Sequence, residues 1–228
     1  MNKVELFENE RASGYDQFVE TWIPNYHYFL DQLPKLLRET ENKDLLVVGC
    51  GTGNEIERFV DTAESWTITG VDPSPEMISQ ALEKFEADEN VHLVEGVVSD
   101  LDEEKQYGAA TLLLVLHFLE DNGQKLAMLQ DISKRMMSQA PLLLLDITGN
   151  KEQIQQNLQL LRLLLPDGID ETQVAQRLRR IERELLHVSE ERLAELCEEA
   201  GFEPPVRFFQ SSIYMGWITR KKDIISFS

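Results

Sequence analysis

Apolar residues fall into short continuous runs separated by stretches of helical spacing, and the two kinds of segment alternate along most of the chain. Leu45-Leu46-Val47-Val48 is one such run, closed by Gly49-Cys50-Gly51-Thr52-Gly53. Others are Trp66 to Val71, Val91 to Val94, Ala109 to Val115 and Pro141 to Ile147. Strands buried on both faces of a parallel sheet need runs of this kind. A helix is expected from about Asn54, and another from Pro75 to Phe85, with Ser74 as N-cap and Ile78, Ala81, Leu82 and Phe85 as its apolar stripe. Alternating strand and helix predicts an α/β fold built on a doubly wound parallel sheet.

The flanks differ. Tyr15, Phe18, Trp22, Tyr26, Tyr28 and Phe29 cluster between Ala12 and Leu37, on what should be two helices capping the sheet, with Pro24 in a first helical turn. After Asp146, Ile154, Leu158, Leu161 and Leu165 form one helical stripe and Val174, Leu178, Ile181 and Leu185 another, parted by Pro166-Asp167-Gly168. This insertion either covers the C-terminal edge of the sheet, where doubly wound folds bind ligands, or builds a homodimer contact. Ser189 caps a further helix, with Leu193, Leu196, Cys197 and Ala200 inward, and Phe202 to Gln210 and Ile213 to Arg220 close the chain as an edge hairpin. The expected layout is one domain, 1–228: a helical cap (1–40), a binding core (41–148), the insertion (149–188) and the last helix with its hairpin (189–228).

The first run carries the chemistry. Glycines at 49, 51 and 53 let the backbone approach a ligand closely, and the helix that follows offers unpaired N–H groups. The second run ends at Asp72, whose carboxylate can accept from both hydroxyls of a ribose. Together they predict an adenosine site. A dinucleotide fingerprint would need a third glycine where Asn54 and Ile56 stand, which disfavours a nicotinamide dehydrogenase.

The strand followed by Gly49-Cys50-Gly51-Thr52-Gly53 resembles the first motif of the class I S-adenosylmethionine (SAM) dependent methyltransferases, and Gly70-Val71-Asp72-Pro73-Ser74-Pro75-Glu76-Met77 resembles the second. His92-Leu93-Val94-Glu95-Gly96 and Tyr107 to Leu119 follow in the family order. The resemblance covers roughly Asp44 to Ile147. It implies a seven-stranded Rossmann-like sheet and a SAM site formed by Tyr26, Gly49, Cys50, Gly51, Gly53, Asp72, Pro73, Met77, Val97, Val98 and Leu113. Two positions depart from the family pattern. An acid that would hold the methionine amine is replaced by Val47, and one that would receive the adenine amino group by Val97. Each loss removes a hydrogen bond worth about 1.5–3 kcal/mol, although the backbone N–H of Val98 can still serve adenine.

Within that superfamily, Trp22-Ile23-Pro24-Asn25-Tyr26, Leu116-His117-Phe118-Leu119-Glu120 and Ala200-Gly201-Phe202 leading to Phe208-Phe209-Gln210 resemble the carboxy-SAM synthases of tRNA wobble-uridine modification. Those enzymes convert SAM and prephenate to carboxy-SAM. The arginine that holds the extra carboxylate in that family aligns near Leu178, with Arg177 and Arg179 expected to point elsewhere, and its asparagine aligns near Leu113. The leading expectation is therefore a SAM-dependent methyltransferase acting on a small molecule. A carboxy-SAM synthase with an altered anion site and a non-catalytic SAM-fold subunit that binds a partner protein are the alternatives.

Charge and composition narrow the partners. With 22 basic and 41 acidic residues in 228, the formal net charge is -19, which repels nucleic acid and anionic membranes. Two cysteines, Cys50 and Cys197, are too few for a disulfide framework and point to a reducing compartment. Met1 to Ser13 is acidic without an apolar signal core, so a soluble cytoplasmic protein is expected. His117 is a weak candidate for a general base, since the end of an apolar strand more often holds a core histidine. Tyr26 is a second weak catalytic candidate. Arg177, Arg179, Arg180 and Arg183 read as a solvated helix face, with capture of an acidic substrate as the alternative. No metal site is expected.

Overall fold

The computed structural model describes residues 14–223. Short helices α1 (Tyr15–Trp22), α2 (Tyr26–Leu30) and α3 (Leu33–Leu37) precede β1 (Asp44–Val48). The core continues through α4 (Asn54–Val60), β2 (Thr67–Asp72), α5 (Pro75–Phe85), β3 (Val91–Glu95), β4 (Ala109–Leu113), α6 (Gln124–Lys134) and β5 (Pro141–Ile147). The insertion forms α7 (Lys151–Leu164) and α8 (Glu171–Arg183), followed by α9 (Glu190–Glu199), β6 (Val206–Ser211) and β7 (Tyr214–Arg220).

All of these strands join one seven-stranded sheet in the order β3-β2-β1-β4-β5-β7-β6. Pairing is parallel from β3 to β5 and antiparallel for β5–β7 and β6–β7. The strand order reverses between β1 and β4, and in such sheets ligands sit beyond the carboxyl ends at that switch point. Leu45 and Val47 pack with the cap and the insertion on one face, while Leu46 and Val48 pack with α6 and α9 on the other. Burial on both faces is why the strands read as unbroken apolar runs.

Some boundaries differ from the sequence expectation. Among the described residues the cap holds three helices where two were expected. Pro24 lies in the turn before α2, whose N-cap Asn25 takes a left-handed conformation (φ 63°). It is Pro34 that occupies a first helical turn, that of α3. The fourth apolar run stops being a strand at Leu113, because Leu114 turns to φ 61° while its N–H donates to the Leu145 carbonyl (2.7 Å). Ser74 is the N-cap of α5 but makes no side-chain cap bond; the carboxylate of Asp72 takes its N–H instead. Residues 1–13 of the expected cap and 224–228 of the closing segment lie outside the described residues.

Gly108, just before β4, sits against backbone: its N–H donates to the Asp44 carbonyl (2.9 Å), and a Cβ there would overlap the Asn42 carbonyl oxygen. Backbone yields less readily than a side chain. Gly108→Ala should therefore lower stability by about 1–3 kcal/mol, read as a fall in the urea midpoint with an unchanged slope.

Candidate active site

The carboxyl ends of β1, β2 and β4 open into a cavity of about 690 Å³, within the range of roughly 300–1,000 Å³ usual for small-molecule sites. Its floor is the turn after β1. Gly49 (φ 68°) and Gly51 (φ 51°) both take left-handed backbone, and a Cβ on Gly49 would overlap a Val115 methyl. Asp72, at the end of β2, accepts from Gly51 N–H (3.0 Å, Oδ2) and from Ser74 N–H (2.9 Å, Oδ1). A carboxylate offers about four acceptor positions, so two remain for ligand hydroxyls. Burial raises its pKa, and those two backbone N–H bonds oppose the shift.

Of the residues expected at the cofactor, Gly49, Gly51, Asp72, Pro73, Met77, Val97, Val98 and Leu113 line this cavity. Tyr26 and Cys50 line a smaller recess beside it, together with Tyr15 and Glu55, with Gly49, Gly51 and Leu114 as shared walls. Gly53 (φ 85°) lies behind the turn, where a Cβ would overlap the Phe85 ring. Helix α1 closes the cavity from above and is docked by Asp16, whose Oδ1 accepts from Asn54 (2.8 Å) and Thr52 (2.5 Å) and whose Oδ2 meets Lys84 (2.8 Å).

The far half of the cavity holds His117, which belongs to a short 3-10 turn, Leu116–Phe118. Its Nδ1 lies 2.8 Å from Asp146 Oδ1 at the end of β5, and both side chains are buried. Asp146 also accepts from the N–H groups of Leu116 (2.9 Å) and Ile147 (2.7 Å). A carboxylate surrounded by donors accepts from Nδ1–H and leaves Nε2 as the free acceptor, an arrangement that suits a positioned general base. The expected core histidine is thus buried and also faces the cavity. Asp146 was not singled out from the sequence; its signal is an acid in the otherwise apolar run Pro141 to Ile147.

Lys125 locks this half. It is 1% exposed, and its Nζ donates to the carbonyls of Leu116, Leu119 (2.7 Å) and Leu186 (2.7 Å). The turn bearing His117 is thereby tied to the end of the insertion. Burial lowers the lysine pKa while Asp146 and Asp121 oppose that.

The arginine expectation needs correction. Arg179 and Arg183 are exposed, but Arg177 and Arg180 line the cavity. The Arg177 guanidinium lies 4.5 Å from the Phe18 ring centroid and interacts with the buried Tyr214 hydroxyl; burial lowers its pKa, and Tyr214 opposes that shift. The helix does not point Arg177 away, because α8 packs Val174 and Ile181 inward and carries position 177 on the same side. Of the two roles open to the insertion, covering the sheet edge is the one these contacts support directly.

Glu55 was also missed. Its side chain is buried beneath the glycine turn, accepting from the Thr111 hydroxyl (2.5 Å), and burial pushes its pKa up to about 8, with that hydrogen bond opposing.

Residues 46–142 match the family described as a methyltransferase domain. Over 226 residues the chain is 25% identical to carboxy-S-adenosyl-L-methionine synthase 1 of Yersinia pseudotuberculosis, covering 94% of this chain and 92% of that protein. The synthase of Colwellia psychrerythraea is 24% identical over 215 residues, covering 90% of this chain and 87% of that one. Among solved structures, human N-acetylserotonin methyltransferase in complex with SAM superposes with a TM-score of 0.65 at 19% identity, over 94% of this chain and 56% of that one. The plantazolicin methyltransferase BpumL, bound to S-adenosylhomocysteine (SAH) and a substrate analogue, gives 0.68 at 11% identity, over 95% and 92%. The chain carries the class I SAM-dependent methyltransferase fold.

Two outcomes follow for the buried charges. Lys125→Met should cost at least about 2 kcal/mol by leaving buried carbonyls unpaired, measurable by urea unfolding. An unfolded glutamate ionises near about 4.3, so between there and about 8 the folded state alone holds the Glu55 proton. Its contribution to stability is complete below that window and is lost as pH rises through it, at about 1.4 kcal/mol per pH unit. The stability difference between Glu55→Gln and wild type should therefore shift in favour of the variant from pH 5.5 to 7.5.

Proposed function

We propose that this protein is a SAM-dependent methyltransferase acting on a small-molecule acceptor. The observation that supports it most is the single cavity that joins an adenosine-type half, with Asp72 and the glycine turn, to a half that presents the His117–Asp146 pair. SAM, when bound, supplies an electrophilic methyl group. The residues fit it: Asp72 keeps acceptor positions for ribose hydroxyls, Gly49 and Gly51 give close backbone approach, and Val98 presents its N–H beside the adenine side. Met77 and Pro73 wall that side with apolar surface.

The chain's own contribution is alignment, exclusion of water and proton removal. His117 Nε2 takes the proton of an acceptor hydroxyl or similar group, and Asp146 holds the ring and stabilises the imidazolium that results. Helix α1 and the insertion cover the site, and Lys125 fixes the turn on which His117 rides. The two cysteines are free and buried, which accords with a reducing, cytoplasmic setting. Exposed Leu160, Leu163 and Leu164 on α7 support a homodimer contact through the insertion.

A second reading, a carboxy-SAM synthase-like enzyme, draws on the full-length similarity and on Arg177, whose guanidinium lines the cavity and carries a positive charge that suits a carboxylate. The mass of any nucleoside carried through purification separates the two: carboxy-SAM favours the synthase, SAM or SAH the methyltransferase.

The test is transfer of isotopically labelled methyl from SAM to a small-molecule extract, followed by mass spectrometry of the products. Wild type should yield a labelled small molecule, and His117→Gln should slow its formation by about 10²–10⁴-fold with SAH affinity unchanged. Label that never leaves SAM across such extracts would count against methyl transfer.

A further inference from the structure

Val47 and its strand neighbours offer the glycine turn no charged side chain, yet a carboxyl group reaches it from another element. Val47 and Thr111 are register partners on β1 and β4, and the Thr111 hydroxyl donates to Glu55 Oε1 (2.5 Å). Glu55 is the second residue of α4, so its side chain folds back under Gly49-Cys50-Gly51. There it lines a recess of about 10 Å³, near the volume of roughly 10–15 Å³ that admits one water-sized group. Tyr15, Gly49, Gly51 and Leu114 wall both this recess and the main cavity.

The groups facing Glu55 are Tyr15 from α1, Tyr26 from α2 and Cys50 from the turn, with Asp72 beyond them. Burial holds both phenols and the thiol protonated at neutral pH. Among the described residues no cationic side chain acts on Glu55; only burial and the Thr111 bond do. A buried carboxyl without a cation, in a recess that shares its walls with the main cavity, suits a ligand cation whose head is about the size of a water molecule.

We propose that Glu55 binds the α-ammonium group of the cofactor's amino acid portion, replacing the acid absent at Val47. This rests on the cofactor reading above. A neutral Glu55 carboxyl and a ligand ammonium become a carboxylate–ammonium pair, and one proton passes to solvent. Part of the affinity lost at Val47 is thereby restored by a residue from the next helix, while Thr111 orients the carboxylate.

The experiment is calorimetric titration of the full chain, wild type and Glu55→Gln, with SAH, with SAH lacking its amine, and with adenosine, at pH 7 in buffers of different ionisation enthalpy. For wild type, SAH binding should release a proton, and neither the des-amino analogue nor adenosine should do so. Glu55→Gln should weaken SAH by about ten- to a hundredfold, abolish the proton release and leave adenosine within twofold, which also shows that the variant is folded. Equal losses for SAH and its des-amino analogue, or unchanged SAH affinity in the variant, would overturn the role of Glu55 while leaving the cofactor site standing. If wild type bound none of the three, the cofactor reading itself would fall, and this role with it.

Discussion

Everything at the site follows from one constraint: the parallel strands end on the same edge of the sheet, and the polar groups exposed there must find partners away from water. Two strand ends meet that demand with a carboxylate. Asp72 gathers the N–H groups of Gly51 and Ser74, and Asp146 gathers those of Leu116 and Ile147 together with the His117 ring. Asp72 thus holds its turn and lines the cavity, while Asp146 holds the turn whose His117 lines it. Lys125 does the converse, offering a buried ammonium to carbonyls from the His117 turn and the insertion.

The cap and insertion extend that logic. Neither has a core of its own; α1 is fastened by Asp16 to Thr52, Asn54 and Lys84, and α8 packs through Val174 and Ile181. Each contributes side chains to the cavity, Tyr15 and Phe18 from one and Arg177 and Arg180 from the other. The cavity is therefore walled in part by elements outside the parallel core. Proteins that share the core and differ in these additions can act on different acceptors.

The sheet was legible because burial on both faces writes itself as unbroken apolar runs, and the turn and acid that line one half of the cavity because glycine spacing and an acid at the end of β2 are local signals. The side-chain pairs around the cavity were not legible, for a physical reason. His117 and Asp146 are 29 positions apart and Glu55 and Thr111 are 56 apart; each pair joins a strand to a turn or helix from another part of the chain, which no local pattern reports. Arg177 looked like one of four solvated arginines, since helical spacing shows which positions share a side but not what lies opposite. Valine at 47 read as a lost contact, while the carboxyl group beside it comes from the following helix.

The central claim is that the cavity at the switch point is an adenosyl cofactor site organised by Asp72, and titration of SAH into wild type and Asp72→Ala tests it most directly. The account predicts micromolar binding by wild type and a loss of about tenfold or more in the variant. Equal affinity in both proteins, or no binding by wild type at millimolar SAH, would contradict it.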